Sequence, residues 1–339
     1  MHDTKDHEMA TIRQPLAPTD DSDWTRSEVV AGLSSSPKRL PSKFFYDARG
    51  SELFERICEQ PEYDLTRTEL DIMRQHGPAI GWALGERVRL VEFGSGSGAK
   101  TRLLLRNVPA PAAYIPVEIS ASALQESVAL LRNEMPALAV MPLVADFTQP
   151  LTLPAAPTPS RRTVVYFPGS TLGNFDQPEA LAILRNIRAE VGHRGGALIG
   201  IDLKKDVAEL EAAYNDKAGV TAAFTLNMLT HLNRSVGTDF DERQFRHHAR
   251  YDAGNSRIET NLVSLANQVV TLAGSTFHFT AGESMLVEYS HKYTLEEFGQ
   301  MALRSGLRIA NYWTDAGKRF AVVFITANPG PTEPSTPLW

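Results

Sequence analysis

The chain has 339 residues, 42% hydrophobic and 22% charged, an ordinary globular composition with room for one large domain or two smaller ones. Thirty-four basic against 40 acidic residues leave a net charge of −6, which argues against a nucleic-acid or anionic-membrane partner. Cys58 is the single cysteine, so an internal disulfide is excluded and a reducing compartment fits. No apolar run approaches the roughly 20 residues of a membrane helix. The polar N-terminus also lacks the apolar core of a signal peptide. The expectation is a cytoplasmic protein, monomeric, without nucleic-acid or membrane partners.

Residues 1–24 are polar, with scattered prolines and acids, and read as a flexible arm in which His2, Asp3 and His7 need no metal. Residues 37–76 read as mostly helical. Ser51 opens a segment with Leu53, Phe54 and Ile57 at helical spacing, Pro61-Glu62-Tyr63 makes a turn, and a second helix begins at Thr66. From Val88 the period changes. Strands are predicted at 88–93, 114–119, 138–144, 163–167 and 197–202, with helices at 100–107 and 122–132 and a proline-rich surface loop at 151–162. That alternation predicts a doubly wound, mostly parallel sheet of the Rossmann-like α/β class.

Beyond Asp202 the alternation stops. Helical sequence covers 206–233, and period-2 segments follow at 256–265, 267–272, 275–280 and 285–290, which predicts a second α+β lobe. Segments 307–313 and 320–325 read as a hairpin completing the first sheet, and 331–339 as a flexible tail. No internal repeat is present. The predicted partition is a substrate-binding lobe from 25–68 with 205–294, and a Rossmann-like domain from 69–204 with 295–330.

The most informative stretch is Glu92-Phe93-Gly94-Ser95-Gly96-Ser97-Gly98-Ala99-Lys100, a strand end breaking into three alternate glycines before a helix. Open α/β sheets hold nucleotides at such a turn. Gly94, Gly96 and Ala99 fit the dinucleotide pattern, with Glu118 placed 24 residues after Gly94 as a ribose-binding acid. Glu92, Gly94, Gly96 and Gly98 equally fit E-x-G-x-G-x-G, which resembles the first motif of S-adenosylmethionine-dependent methyltransferases. The second reading is preferred, because a sulfonium amino acid carries an ammonium that a nearby carboxylate favours, whereas a dinucleotide offers a pyrophosphate for helix amides. Glu118 ends the second strand, where it can take ribose hydroxyls. Asp146-Phe147 ends the third, where the acid can take the adenine amino group and the ring can cover the base.

Longer strings carry a more specific resemblance. Lys43–Phe54, Pro61–Glu69, Phe167–Phe175 and Ala213–Phe224 are similar to the histidine Nα-methyltransferases of ergothioneine biosynthesis, over roughly residues 36–326. The resemblance implies a class I methyltransferase fold and S-adenosyl-L-methionine as methyl donor, leaving S-adenosyl-L-homocysteine, with no metal. It also implies successive methylation of L-histidine to hercynine. Implied cofactor contacts are Tyr46, Gly94, Lys100, Glu118, Asp146 and Phe147, beside Glu92, Gly96 and Gly98 of the turn. Implied substrate contacts are Tyr63, Gly169, Asn174, Tyr214, Glu288 and Ser290. Asn174 and Tyr214 would grip the carboxylate, Glu288 and Ser290 would read the imidazole, and Tyr46 and Asn174 would serve catalysis.

These residues also make chemical sense by themselves. Glu288 and Ser290 lie two apart in a strand-like segment and share a face. A carboxylate accepts from one imidazole N–H, and a hydroxyl can donate to or accept from the other nitrogen. Aromatic faces at Tyr46, Tyr63 and Tyr214 would favour the quaternary product. The attacking amine must be neutral, and no histidine pattern marks a dedicated base; His231, His247, His248 and His291 read as ordinary surface or helix residues. Two positions depart from the family pattern: Asp64, where a second tyrosine is common, and Thr260-Asn261, where larger apolar or aromatic residues are usual. If that pair faces the pocket, the accepted side chain can differ. Methylation of another free amino acid or amine, and a non-catalytic binding module, stay open as alternatives.

Overall fold

Apolar runs too continuous for a half-solvated strand end up in the middle of a sheet covered on both faces. The computed structural model describes residues 21–328, positions 97 and 120 excepted. Helix α1 (Asp21–Ser34), a 3-10 turn (Ser42–Phe45), α2 (Ala48–Glu59) and α3 (Leu65–Leu84) come first. Strands and helices then alternate as β1 (Val88–Phe93), α4 (Ala99–Asn107), β2 (Ala113–Glu118), α5 (Ala121–Glu134), β3 (Leu143–Val144), β4 (Arg162–Phe167), α6 (Gln177–Val191) and β5 (Gly196–Asp202). Two helices follow, α7 (Val207–Tyr214) and α8 (Val220–Ser235). Next come β6 (Phe245–Asp252), β7 (Arg257–Ser264), β8 (Gln268–Leu272), β9 (Ser275–Phe279) and β10 (Ser284–His291). The chain returns through α9 (Leu295–Arg304), β11 (Leu307–Thr314) and β12 (Phe320–Ala327).

The main sheet runs β11-β12-β5-β4-β1-β2-β3. β1 to β5 are parallel, and the β11–β12 hairpin is antiparallel, joined to β5 through β12. All seven residues of β5 are buried. One face packs on α6 and α9, the other on α3, α4 and α5. A separate core unites Val29 to Leu65 with Leu210 to Val287, drawing on α1, α2, α7, α8 and the antiparallel strands. Those strands form a β10-β7-β6 sheet and a β8-β9 ribbon.

Local chemistry sets the boundaries. Asp176 with Glu179, and Thr294 with Glu297, form capping boxes that open α6 and α9. Asp47 caps α2 by accepting from the Gly50 amide at 2.7 Å.

Three sequence expectations are corrected. The third strand is only Leu143–Val144, with an isolated bridge between Tyr114 and Val140, because Pro142 has no N–H to continue the ladder. β6 was not anticipated; its Phe-Arg-His-His-Ala-Arg-Tyr-Asp run buries few apolar side chains. Residues 21–24 open α1 and so do not belong to the arm. Residues 1–20, with His2, Asp3 and His7, and the tail at 331–339 lie outside the described residues.

Helix α3 approaches the end of α4 closely enough that a Cβ at Gly81 would stand 1.9 Å from the Asn107 carbonyl oxygen. Gly81→Ala is expected to force the two helices apart at a cost of about 2–3 kcal/mol. A denaturant melt with an unchanged midpoint would rule out that contact as a constraint.

Candidate active site

The parallel strands deliver their carboxyl ends to one edge, where such sheets bind ligands. After β1 the chain turns on Gly94, Gly96 and Gly98, with φ of 73°, 43° and 69°. Side chains rarely adopt that left-handed region, so glycine is favoured at each position. The turn is pinned by the Gly94 amide donating to Val117 and the Gly98 amide to Ser95. A Cβ built at Gly94 or Gly96 would meet nothing within 4 Å, so open space lies over the turn. Ser95 is buried there, its hydroxyl without a partner among the described residues. An open cradle with an unused buried donor fits a polar ligand such as a nucleoside-bearing cofactor.

Glu92 sits under this turn rather than in it. It is 1% exposed, and its carboxylate accepts from Thr101 Oγ1 at 2.6 and 2.7 Å and from the Tyr114 hydroxyl. Burial pushes its pKa up to about 8, against the opposing pull of those hydroxyls and of Lys100. The sequence reading aimed Glu92 at a ligand ammonium; the structure spends both its oxygens on bracing β1, β2 and the start of α4. Lys100, also expected at the cofactor, ion-pairs through Nζ with the fully buried Glu69, which accepts from the Gly169 amide at 3.0 and 3.2 Å. Glu69 thereby ties the loop after β1 to the loop after β4.

Glu118 ends β2 half-buried, one carboxylate oxygen accepting from the Ile119 amide at 2.9 Å. Asp146 lies beyond β3, with Oδ1 taking the amide and hydroxyl of Thr148 at 2.9 and 2.6 Å. Phe147 stacks on Phe93 with centroids 5.3 Å apart and packs edge-on against Phe167. Its ring is partly buried and packs against the core at the ligand edge of the sheet. Gly169, at φ 77°, opens the turn after β4 that leads to Asn174 at the end of a 3-10 helix (Thr171–Asn174). Gly173 lets that helix close on β10, since a Cβ there would stand 2.9 Å from the His291 carbonyl oxygen.

Across from this edge the second core presents a wall of aromatic rings. Tyr46 packs edge-on against Phe54 and Phe224 at 5.8 and 5.7 Å, and Tyr63 meets Phe54 and Tyr214 at 6.3 and 6.2 Å. Tyr46 leads directly into the α2 cap at Asp47, and Tyr214 ends α7 just before Asp216, which caps α8 by accepting from the Val220 and Thr221 amides. Although the Tyr46 residue is 39% exposed, burial of its hydroxyl raises its pKa far above the usual phenol range. The carboxylates of Glu288 and Glu118 add to that, so Tyr46 feels one acid from each side of the site. Burial likewise raises the Tyr63 hydroxyl, and both phenols stay protonated.

Glu288 and Ser290 share the inward face of β10. Burial pushes Glu288 up to about 7, with Lys292 pulling the other way. Directly opposite Glu288 on β7 stands Thr260, 2% exposed and with an unpartnered hydroxyl, while Asn261 points its amide at the Glu259 carbonyl. Ser290 takes the Tyr214 hydroxyl at 2.6 Å. Asp64, the other departure from the family pattern, pairs with Lys205 at 3.7 Å and with Arg319.

The sequence reading missed Glu69, Asp202 and Lys292. Lys292 continues the period of Glu288 and Ser290, which was the available signal. His231 and His247 serve the backbone, each 2.8 Å from a carbonyl, of Phe44 and Tyr214 respectively. Among the described residues no group of three His, Cys, Asp or Glu side chains could hold a metal, and no helix is long and apolar enough to cross a membrane.

Comparison with known proteins gives the family. A family model described as a histidine-specific, S-adenosylmethionine-dependent methyltransferase matches residues 25–327. The chain is 38% identical over 312 residues to a histidine N-alpha-methyltransferase of Mycolicibacterium smegmatis, covering 91% of this chain and 96% of that one. It is 36% identical over 302 residues to the Mycobacterium tuberculosis protein of the same name, covering 88% and 93%. An ergothioneine biosynthesis protein 1 of Neurospora crassa is 27% identical over 92% of this chain and 37% of its own. The seven-stranded order with its antiparallel edge hairpin is the class I methyltransferase arrangement. The chain belongs to the family of histidine-specific, S-adenosylmethionine-dependent methyltransferases.

Proposed function

We propose that this enzyme methylates the α-amine of free L-histidine, through to the trimethylated product hercynine, as a step in ergothioneine biosynthesis. Family membership supports the substrate. The observation that carries the reading is the placement of Glu288, Ser290 and Tyr214 on one inward face against the tyrosine wall. The reading divides the chain into a donor-binding body, 69–204 with 295–330, and an acceptor-binding lobe, 25–68 with 205–294. It is a monomer of the cytoplasm in this reading, and uses no metal.

The donor side would be held at the glycine turn, with Gly94, Gly96 and Gly98 admitting a ligand close to the backbone and Glu118 and Asp146 offering acceptors at neighbouring strand ends. S-adenosylmethionine, when bound there, supplies an electrophilic methyl group. Attack by an amine on such a methyl is an in-line displacement, so catalysis rests on positioning. On the acceptor side, Asn174 would hold the substrate carboxylate beside Gly169 and Glu288 and Ser290 the imidazole; the Tyr214 hydroxyl, expected at the carboxylate, gives its one proton to Ser290 instead. Tyr46, protonated at every physiological pH, would orient the amine through its hydroxyl oxygen and leave the nitrogen lone pair free. Tyr63 and Tyr46 offer π faces to the cation formed as methylation proceeds. Three rounds on one nitrogen require donor exchange without loss of the amino acid, which separate donor and acceptor bodies permit.

Incubation of L-histidine with S-adenosylmethionine and the enzyme should yield a mass increase of three methyl groups by mass spectrometry; no methylated histidine would sink the proposal. Glu288→Ala should lower kcat/KM for histidine roughly 10–100-fold, the value of a hydrogen bond to a charged group, with less effect on amino acids lacking an imidazole. Glu288 accepts a ring N–H most strongly when ionised, and burial lifts it to about 7. The wild-type kcat/KM should therefore rise with pH through about 7, and Glu288→Gln should lose that limb, keeping only the titration of the free substrate. An identical profile in the variant would remove Glu288 from the binding step.

A further inference from the structure

The side chain of Lys292 is wholly buried, just past the end of β10. Its ammonium has three protons, and the structure accounts for three partners: Asp202 Oδ2 at 2.7 Å, Ser290 Oγ at 2.9 Å and Tyr214 Oη at 3.0 Å. An ammonium cannot accept a hydrogen bond. Both hydroxyls must therefore turn lone pairs towards it. Tyr214 also donates to Ser290 at 2.6 Å, the sense expected when the more acidic hydroxyl is the phenol. Ser290 Oγ then accepts twice, from Lys292 and from Tyr214, and both of its lone pairs are spent. What remains is its own proton.

The geometry points to Lys292 as a positioning residue that makes Ser290 a donor-only group, so that the acceptor site admits the neutral imidazole in one tautomer. Glu288, ionised, can only accept. A ring held between the two must offer one N–H to Glu288 and one bare nitrogen to Ser290, which is what a single neutral tautomer provides. An imidazolium, or a ring with no acceptor nitrogen, leaves the Ser290 proton unpaired in a buried place. The assignment rests on the reading that Glu288 and Ser290 bind the substrate ring, and adds that a lysine touching neither substrate nor donor sets the polarity of that contact. Asp202, at the end of β5, holds Lys292 in place; Lys205 lies 2.9 Å from its other oxygen.

Calorimetric titration of the full chain, saturated with S-adenosylhomocysteine, tests this with L-histidine and the two pyrrolylalanines. Each analogue keeps one ring N–H at one of the two histidine nitrogen positions and has no acceptor nitrogen. The better-binding analogue should bind wild type at least roughly tenfold more weakly than histidine, the effect of one buried unpaired donor. In Lys292→Met/Asp202→Asn, which removes both members of the buried ion pair, Ser290 can turn its proton to Tyr214, and the ratio should fall to within about threefold. Ser290→Ala should give the same collapse with Lys292 intact. A tenfold ratio retained in the double variant would overturn the assignment. Failure of wild type to bind histidine would instead overturn the functional reading beneath it.

A second measurement uses wild type alone and does not depend on the variant folding. With ring-15N-labelled histidine bound at pH 8, one nitrogen should show a protonated-type shift and the other an unprotonated-type shift. Two protonated nitrogens, or a pair averaged between tautomers, would contradict a donor-only Ser290.

Discussion

Two opposite charges with no access to water, Asp202 and Lys292, join the end of β5 in the seven-stranded sheet to the residue that follows β10 in the three-stranded one. Each is expensive to bury alone, and the pairing at 2.7 Å, with two hydroxyls accepting from the ammonium, offsets that cost. Burial by itself would lower the lysine pKa; Asp202 and the Tyr214 hydroxyl outweigh it and drive the net shift upward. The pair also sits where backbone hydrogen bonds link these two strand ends. The Tyr293 amide donates to the Asp202 carbonyl and the Lys204 amide to that of Tyr293, both at 3.0 Å. The end of β5, in the seven-stranded sheet, is thereby fixed to the end of β10, in the three-stranded one. Asp64 extends the same junction to Lys205 and Arg319, from the turn before α3.

Around the glycine turn a comparable economy operates with buried carboxylates. Glu92 and Glu69 are fully enclosed, and neither is left alone: the first has two hydroxyls, the second an ammonium and an amide. Their work is to hold loops still. The glycine turn can then keep three left-handed residues open to a ligand without collapsing into the space above it. Rigidity beneath and openness above are both needed where catalysis depends on placing two reactants within bonding distance.

Much of the scaffold was legible. β1, β2, β4 and β5 are covered on both faces, so their sequences are nearly continuous apolar runs; β12 shares that property, while β11 is a largely exposed edge strand. β3 was overdrawn because an apolar stretch hid the missing amide of Pro142. β6 was overlooked because arginine and histidine alternate on its solvent side. Within the site, Gly94, Gly96 and Gly98 announced themselves by spacing, and Glu288 and Ser290 by resemblance and period. Lys292 obeys the same period, yet a lysine in a strand ordinarily reads as solvated. Only a partner 90 residues earlier in the chain, Asp202, makes its burial tolerable.

The sequence by itself determined the class of fold, the methyl-donor motif and the family, because these are written in local periods and contiguous strings. Which carboxylates are enclosed and brace the frame was decided by tertiary structure alone. Glu92 lies near the end of β1 in a place that looks suited to ligand contact, but hydroxyls from β2 and α4 occupy both its oxygens. Hydrogen-bond polarity at Ser290 is likewise a property of three side chains from β10, α7 and the residue following β10. No local pattern encodes it, since the direction of a hydroxyl proton depends on every group that surrounds the oxygen.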